Sequence, residues 1–230
     1  MFLCNINKNI GSIHKNMISF RIISLIFIPL LLISIEAKPR SFEGNISFLR
    51  ETVFDTTFIK IYVKNGLVRV DEYNSSQTII SSQIVNLKSE EVVALSHDQK
   101  RYARVPVAAR LVNGKDNLDI RKTNNHKKIN GVTCYQWRVR DVKRNTEVAY
   151  WVFEERFDFL ESLLQLLNRT EYSFSAFSAI PDRDGFFPML TEERTLLRKN
   201  KMRIAVVEIN ERHMDSSLFT VPHNYTSVRR

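Results

Sequence analysis

Apolar and polar positions alternate with period two along most of this chain, the pattern of half-buried β-strands. The clearest run is residues 129–155, INGVTCYQWRVRDVKRNTEVAYWVFEE, which reads as two strands joined by a turn at Lys143, Arg144 and Asn145. The first strand sets Tyr135, Trp137 and Val139 on one face and Cys134, Gln136, Arg138 and Arg140 on the other. The second, Val148–Phe153, is apolar on both faces and needs cover on both sides. Both tryptophans of the protein, Trp137 and Trp151, lie in this hairpin. Taken residue by residue, such an aromatic hairpin is core.

The same alternation extends to either side. Phe42–Phe54 alternates loosely, and Thr57–Val63 and Leu67–Tyr73 flank Asn65-Gly66, a tight-turn pair whose residues need positive φ. Strands are expected at Thr78–Leu87, Glu91–Ser96, Tyr102–Val107 and Ile120–Thr123, the last before a polar turn at Asn124–Lys128. Ala108–Asn117 fits either a short helix or a loop. In Phe157–Leu167 the residues Phe157, Leu160, Leu163, Leu164 and Leu167 form one helical stripe, placed to cover the second face of Val148–Phe153.

Tyr172–Leu190 loses the period. It reads as an aromatic loop that either closes a cavity, touches a membrane or partner, or folds back to plug the sheet. A last hairpin pairs Thr191–Arg198 with Met202–Asn210, and Phe219, Val221 and Tyr225 tie the terminus to the sheet. The sum is a mainly β (α+β) chain. About ten to eleven strands form a strongly curved antiparallel sheet, an incomplete barrel covered by one or two helices.

Composition changes this picture at the N-terminus. Ile22–Ile35 is an apolar run broken only by Ser24 and Ser34, follows Lys8, Lys15 and Arg21, and precedes Ala37. That is the order of a secretory signal, and the run is short for a membrane span and contains Pro29. We therefore expect a signal peptide over 1–37, one domain over 38–230, and a periplasmic or secreted protein after cleavage near Ala37. An uncleaved anchor is the competing reading. The full chain carries a net charge of +9. Its basic excess is scattered, which fits a solvated surface or contact with anionic headgroups, and secretion argues against nucleic acid.

Candidate chemistry is sparse. Past the signal Cys134 stands alone, so it forms no internal disulfide and reads as a small buried hydrophobe. His97, His126, His213 and His223 form no HxH or HExxH spacing, and no GxSxG elbow or glycine-rich phosphate loop occurs. Asp182 and Asp184 lack a third ligand at fixed spacing. Glu154 and Glu155 could pair as acid and base or favour the start of the following helix. No catalytic set, metal site or cofactor is expected. The sequons at Asn45, Asn74, Asn168 and Asn224 read as chance.

Several spaced stretches, however, carry a resemblance. FEGNISF, NGLVRVDEY, INGVTCYQW, EVAYWVF and the closing HMDSSLFTVPHNY run in order over residues 42–225. Together they resemble an uncharacterised secreted bacterial family with the fold of the periplasmic lipoprotein carriers, the LolA/LolB-like superfamily. The resemblance implies a bent, incomplete barrel enclosing an apolar cavity for acyl chains. It also implies a non-enzymatic binding or carrier protein for a lipid or the acyl chains of a lipoprotein. Its partners would then be lipid or acylated protein, with transient contact to a membrane surface. Two departures stand out: the carriers' cavity arginine finds no matching position, and no helical pattern precedes the first strand. No family site residue is therefore carried over. The expected lining is Tyr135, Trp137, Trp151, Phe177 and Phe187. The alternative is a cell-envelope protein-interaction module with a filled core and no small-molecule ligand.

Overall fold

Alternation becomes strand after strand in the computed structural model, which describes residues 41–106, 118–155, 157–167 and 172–228. Segment 1–37 and the ambiguous Ala108–Asn117 lie outside the described residues. The first group of strands is β1 (Gly44–Thr52), β2 (Thr56–Lys64), β3 (Leu67–Tyr73), β4 (Ile79–Asn86), β5 (Glu91–Ser96) and β6 (Arg101–Val105). Then come β7 (Leu118–Ile129), β8 (Val132–Asp141) and β9 (Thr146–Glu154), followed by helices α1 (Phe159–Leu167) and α2 (Tyr172–Ser178). β10 (Phe186–Thr195), β11 (Asn200–Glu211), a 3₁₀ turn (Ser216–Phe219) and β12 (Thr226–Ser227) complete the described chain. Asn65 and Gly66 take φ of 50° and 82°, as the tight turn between β2 and β3 requires.

All twelve strands belong to one sheet, ordered β12-β6-β5-β4-β3-β2-β1-β11-β10-β9-β8-β7. It is curved and does not close. Irregular register between Ser47 and Phe48, between Pro188 and Leu190, and between Lys122 and His126 marks bulges that bend the strands. The two halves meet at the antiparallel seam of β1 with β11. There a Cβ on Gly44 would stand 2.0 Å from the Asn210 carbonyl oxygen, so the seam needs glycine. At one edge β12 adds in parallel to β6 and covers its backbone groups.

Two expectations are corrected. The polar stretch Asn124–Lys128 is not a turn between strands but part of β7, which bulges and continues to Ile129. It reads as polar because β7 is the other edge strand, and charge on an edge discourages pairing with another chain. Tyr172–Leu190 is not a loop: it holds α2 and the start of β10. Ser173, Ala176, Phe177 and Ile180 fall at i, i+3, i+4 and i+7 and are all buried, so small residues complete a helical stripe that apolar counting misses. The strand β9 is covered on both sides: α2 clusters its Ala176 and Phe177 with Val148, Tyr150 and Val152, and Phe153 on the other face packs against Phe157 of the expected stripe at 6.4 Å.

Helix α1 is apolar on more than one side. Phe159, Leu163 and Leu166 enter the core built on Ile46, Ile59, Ile61, Val63 and Val68, with Phe42 against Phe157 at 4.9 Å. Leu160, Leu164 and Leu167 stay half-buried and face the gap toward α2. Cys134 is fully buried in the same core, and burial pushes its thiol pKa up.

The opposite face of β3–β5 is covered by the C-terminal segment. Asp71 pairs in register with Ser82, and Ser82 with Leu95, so these side chains share that face. Phe219 is buried, and the Arg69 guanidinium donates to the Leu218 carbonyl at 3.2 Å.

Candidate functional site

The curvature of the sheet brings inward-facing residues of distant strands to one cleft under the helices. β1, β2 and β3 supply Phe48, Ile59, Ile61 and Val70. From the other half come Tyr150, Phe187, Thr191 and Ile204 of β9, β10 and β11. The roof is α1 and α2, through Leu160, Leu164, Leu167, Phe174 and Phe177. Phe187 is the pivot of the floor: its ring lies 4.6 Å from that of Phe157, 6.1 Å from Phe153 and 6.3 Å from Phe48. The cavity measures about 70 Å³. Several roof side chains remain half-exposed, so it reaches the surface between the helices.

Polar groups in this cleft are few. Tyr150 donates its hydroxyl to the Ser173 carbonyl at 2.5 Å, and burial raises its phenol pKa well above the ordinary value, which keeps it a donor. The Ser173 hydroxyl is buried, lines the cleft and has no hydrogen-bond partner among the described residues. Two further polar contacts pin the roof. Tyr172, at the start of α2, donates to Asp141 at 3.0 Å beneath the Arg144 guanidinium, 4.8 Å from its ring centre. Arg183 donates to Glu161 of α1 at 2.5 Å. Burial first, and the Asp141 hydrogen bond second, raise the Tyr172 phenol pKa.

Of the five residues expected to line a cavity, Phe177 and Phe187 do stand in this lining. Trp137 is buried beside Phe186 at 4.8 Å, with the Lys122 ammonium 4.5 Å over its ring, and does not reach the cavity. Trp151 points to the other side of β9 from Tyr150, where Lys127 stacks at 3.9 Å and its indole N–H meets Glu192 at 3.4 Å. Tyr135 is exposed next to His126. Strand parity explains Trp151, since Tyr150 and Trp151 cannot share a face. Trp137 and Tyr135, by contrast, pair with Tyr150 and Val152 on Tyr150's face but stand on β8, one strand further toward the β7 edge. The lining residues from β1–β3 and β11 were missed, because only the curvature of the sheet brings them to the hairpin.

A second constellation lies on the outer face. The Ser82 hydroxyl donates to Asp71 Oδ1 at 2.6 Å and stands 2.6 Å from His97 Nε2, while His97 Nδ1 meets the Tyr225 hydroxyl at 2.7 Å. Asp71 in turn accepts from Arg69 Nε at 2.8 Å. Serine, histidine and aspartate together suggest nucleophilic chemistry, but the proton order opposes it. A serine nucleophile gives its proton to histidine and carries no carboxylate of its own. Here Ser82 gives its proton to Asp71, accepts from His97 and is buried under the tail. The chain of bonds is a clasp. Among the described residues no three metal-ligating side chains come together.

Comparison with known proteins fits this geometry. Residues 42–225 match the profile of the Domain of unknown function (DUF4412), which is most of the chain. The chain belongs to the DUF4412 family. This DUF4412 domain superposes on an uncharacterized conserved protein from Thermus thermophilus with a TM-score of 0.53 at 12% identity, over 83% of this chain and 91% of that one. Two more distant matches are MucB bound to MucA from Pseudomonas aeruginosa and a domain assigned to outer membrane lipoprotein sorting from Vibrio parahaemolyticus. The first has a TM-score of 0.46 at 10% identity, over 80% of this chain and 57% of that one. The second has 0.30 at 6% identity, over 76% and 87%. The Thermus match speaks to fold alone, and the other two carry no argument. No curated protein matches the chain in sequence. The fold of this DUF4412 domain is a bent, unclosed sheet with two helices on it.

Proposed function

We propose that this DUF4412 protein is a non-enzymatic periplasmic or secreted carrier that holds a lipid, or the acyl chain of an acylated protein, in the cleft beneath α1 and α2. The observation that carries this reading is the lining: aliphatic and aromatic side chains from both halves of the sheet, with a buried hydroxyl in the roof, Ser173, that has no partner among the described residues. An acyl chain gains about 0.8 kcal/mol per buried CH₂, and one hydroxyl is enough to orient its polar end. As it stands the cavity, about 70 Å³, is smaller than the roughly 150 Å³ that admits a benzene-sized guest. Loading therefore requires the helices to move outward. Most of what holds them is apolar contact, which has no fixed register and allows such movement.

Native mass spectrometry with lipid extraction tests the reading on protein isolated from its own envelope or medium. Co-purifying lipid, lost on substituting Phe187 or Leu164 by a charged residue, is the expected result. The small cavity volume favours a second reading, an interaction module of the cell envelope with a filled interior. Absence of lipid, together with failure to bind a fluorescent fatty acid, would leave that second reading standing.

A further inference from the structure

Nine large hydrophobic side chains are exposed among the described residues, and four of them stand on three neighbouring turns. The β1–β2 turn carries Val53 and Phe54, exposed by 64% and 97%. Leu197 on the β10–β11 turn is exposed by 89%, and Val142 on the β8–β9 turn by 64%. Thr52 pairs with Met202 and Thr195 with Thr146, so the three turns follow one another along the same end of the sheet. At the usual spacing between strands the row is roughly 20 Å long.

Closed turns hold these side chains outward. Thr52 Oγ1 accepts from the Phe54 and Asp55 amides at 3.2 and 3.0 Å, and the Thr52 amide donates to the Asp55 carbonyl at 2.8 Å. The Arg198 amide donates to the Thr195 carbonyl at 2.8 Å, and the Asn145 amide to the Val142 carbonyl at 3.1 Å. Charge follows the same row. Lys143, Arg144, Arg198 and Lys199 are exposed on these tips, and the tips themselves contain one carboxylate, Asp55. Arg144 leans on Asp141 at 3.7 Å, and just behind the tips Lys201 and Arg203 are paired with Glu193 and Glu51. The turns at the opposite end, Asn65-Gly66, residues 87–90 and Asn130-Gly131, carry none of the exposed large hydrophobic side chains.

We propose that this end of the sheet docks on an anionic lipid bilayer, with Phe54 and Leu197 entering the headgroup region and Lys143, Arg198 and Lys199 meeting lipid phosphates. Separate protruding tips lack the contiguous packed floor of a protein–protein interface. A bilayer accepts isolated side chains and rewards cations beside them. This surface is distinct from the cleft and does not depend on whether the cleft holds lipid. It does lie near the cleft's end, since Tyr172 at the start of α2 is bonded to Asp141 at the end of β8.

Vesicle flotation of the natively processed chain provides the test, with phosphatidylglycerol–phosphatidylethanolamine vesicles against pure phosphatidylcholine. Binding to the anionic vesicles, weakened by added salt, is expected. Phe54→Ser with Leu197→Ser should lower it on the order of tenfold or more. Arg198→Glu with Lys199→Glu should lower binding to anionic vesicles only, and Val207→Ser, an exposed position away from the tips, should leave it unchanged. These substitutions lie on exposed turns, and an unaltered melting temperature confirms the fold. Binding that ignores the tip substitutions or the lipid charge would overturn the proposal. So would failure to bind vesicles while Phe54→Ser abolishes self-association, which would assign the tips to protein contact. Lipid content of the purified protein is read separately, so the cleft and the docking end fail independently.

Discussion

The two faces of the sheet are closed in opposite ways. Inside, helices lie on aliphatic and aromatic side chains and leave a cleft of about 70 Å³. Outside, the C-terminal segment is fastened by Arg69, Asp71, Ser82, His97 and Tyr225, each bonded to the next. Apolar contact has no direction, so a helix resting on it can shift with modest loss. A chain of hydrogen bonds that runs through the buried Asp71 and Ser82 has one geometry, and a displaced member strands its neighbours. The inner cover is suited to yielding and the outer one to staying shut.

Substitutions sharpen that contrast. Phe187→Ala removes the ring at the centre of the inner aromatic cluster and should destabilise by about 4 kcal/mol in urea unfolding. It should also enlarge the cleft, so binding of an apolar dye should rise. Asp71→Ala strands the largely buried Arg69 and should cost about 3 kcal/mol. Unlike the first, it should speed hydrogen exchange at the amides of Thr226 and Val228, which bond to the Lys100 and Tyr102 carbonyls, because the tail comes loose.

Acid should act on the same outer segment. The Glu43 carboxyl is held below the ordinary carboxylate range by the Met214 amide at 2.9 Å, and also by nearby His213 and Lys64. A lowered pKa means that this attachment is fully present above the carboxylate range and fades as pH falls through it. The thermal midpoint should therefore drop less steeply on acidification in Glu43→Gln than in the parent. The smallest effect belongs to Ser173→Ala. Its hydroxyl has no hydrogen-bond partner among the described residues, so stability should change by less than about 0.5 kcal/mol, toward gain, while the affinity of a fluorescent fatty acid should fall.

Strands whose two faces differ were legible in the sequence, as the β8–β9 hairpin and the Asn65-Gly66 turn show. Two elements hid for chemical reasons. β7 is an edge strand with lysines and asparagines on both sides, so it imitates a turn. α2 is built with serine and alanine where leucine would have announced a helix, and the packing of Ala176 and Phe177 on Tyr150 overrides its weak propensity. For α1 the periodicity found an apolar stripe, but Leu160, Leu164 and Leu167 of that stripe face the cleft while Phe159 and Leu166 enter the core. The site was less legible. Phe177 and Phe187 were named from aromatic content, whereas Ile59, Val70 and Ile204 join them only through curvature. Nothing local to residues 69, 71, 82, 97 and 225 announces that they form one chain of bonds.

The seam between β1 and β11 also sets an order of events. Gly44 finds Glu211 and Thr52 finds Met202 about 150 residues or more away, so the two halves of the sheet can grow as local hairpins but not unite until β11 has been made. Closing so long a loop is slow compared with forming hairpins. Through that interval β1 waits with one edge unpaired and its inner side chains in water, which makes the unjoined intermediate the state most open to chaperones and to aggregation.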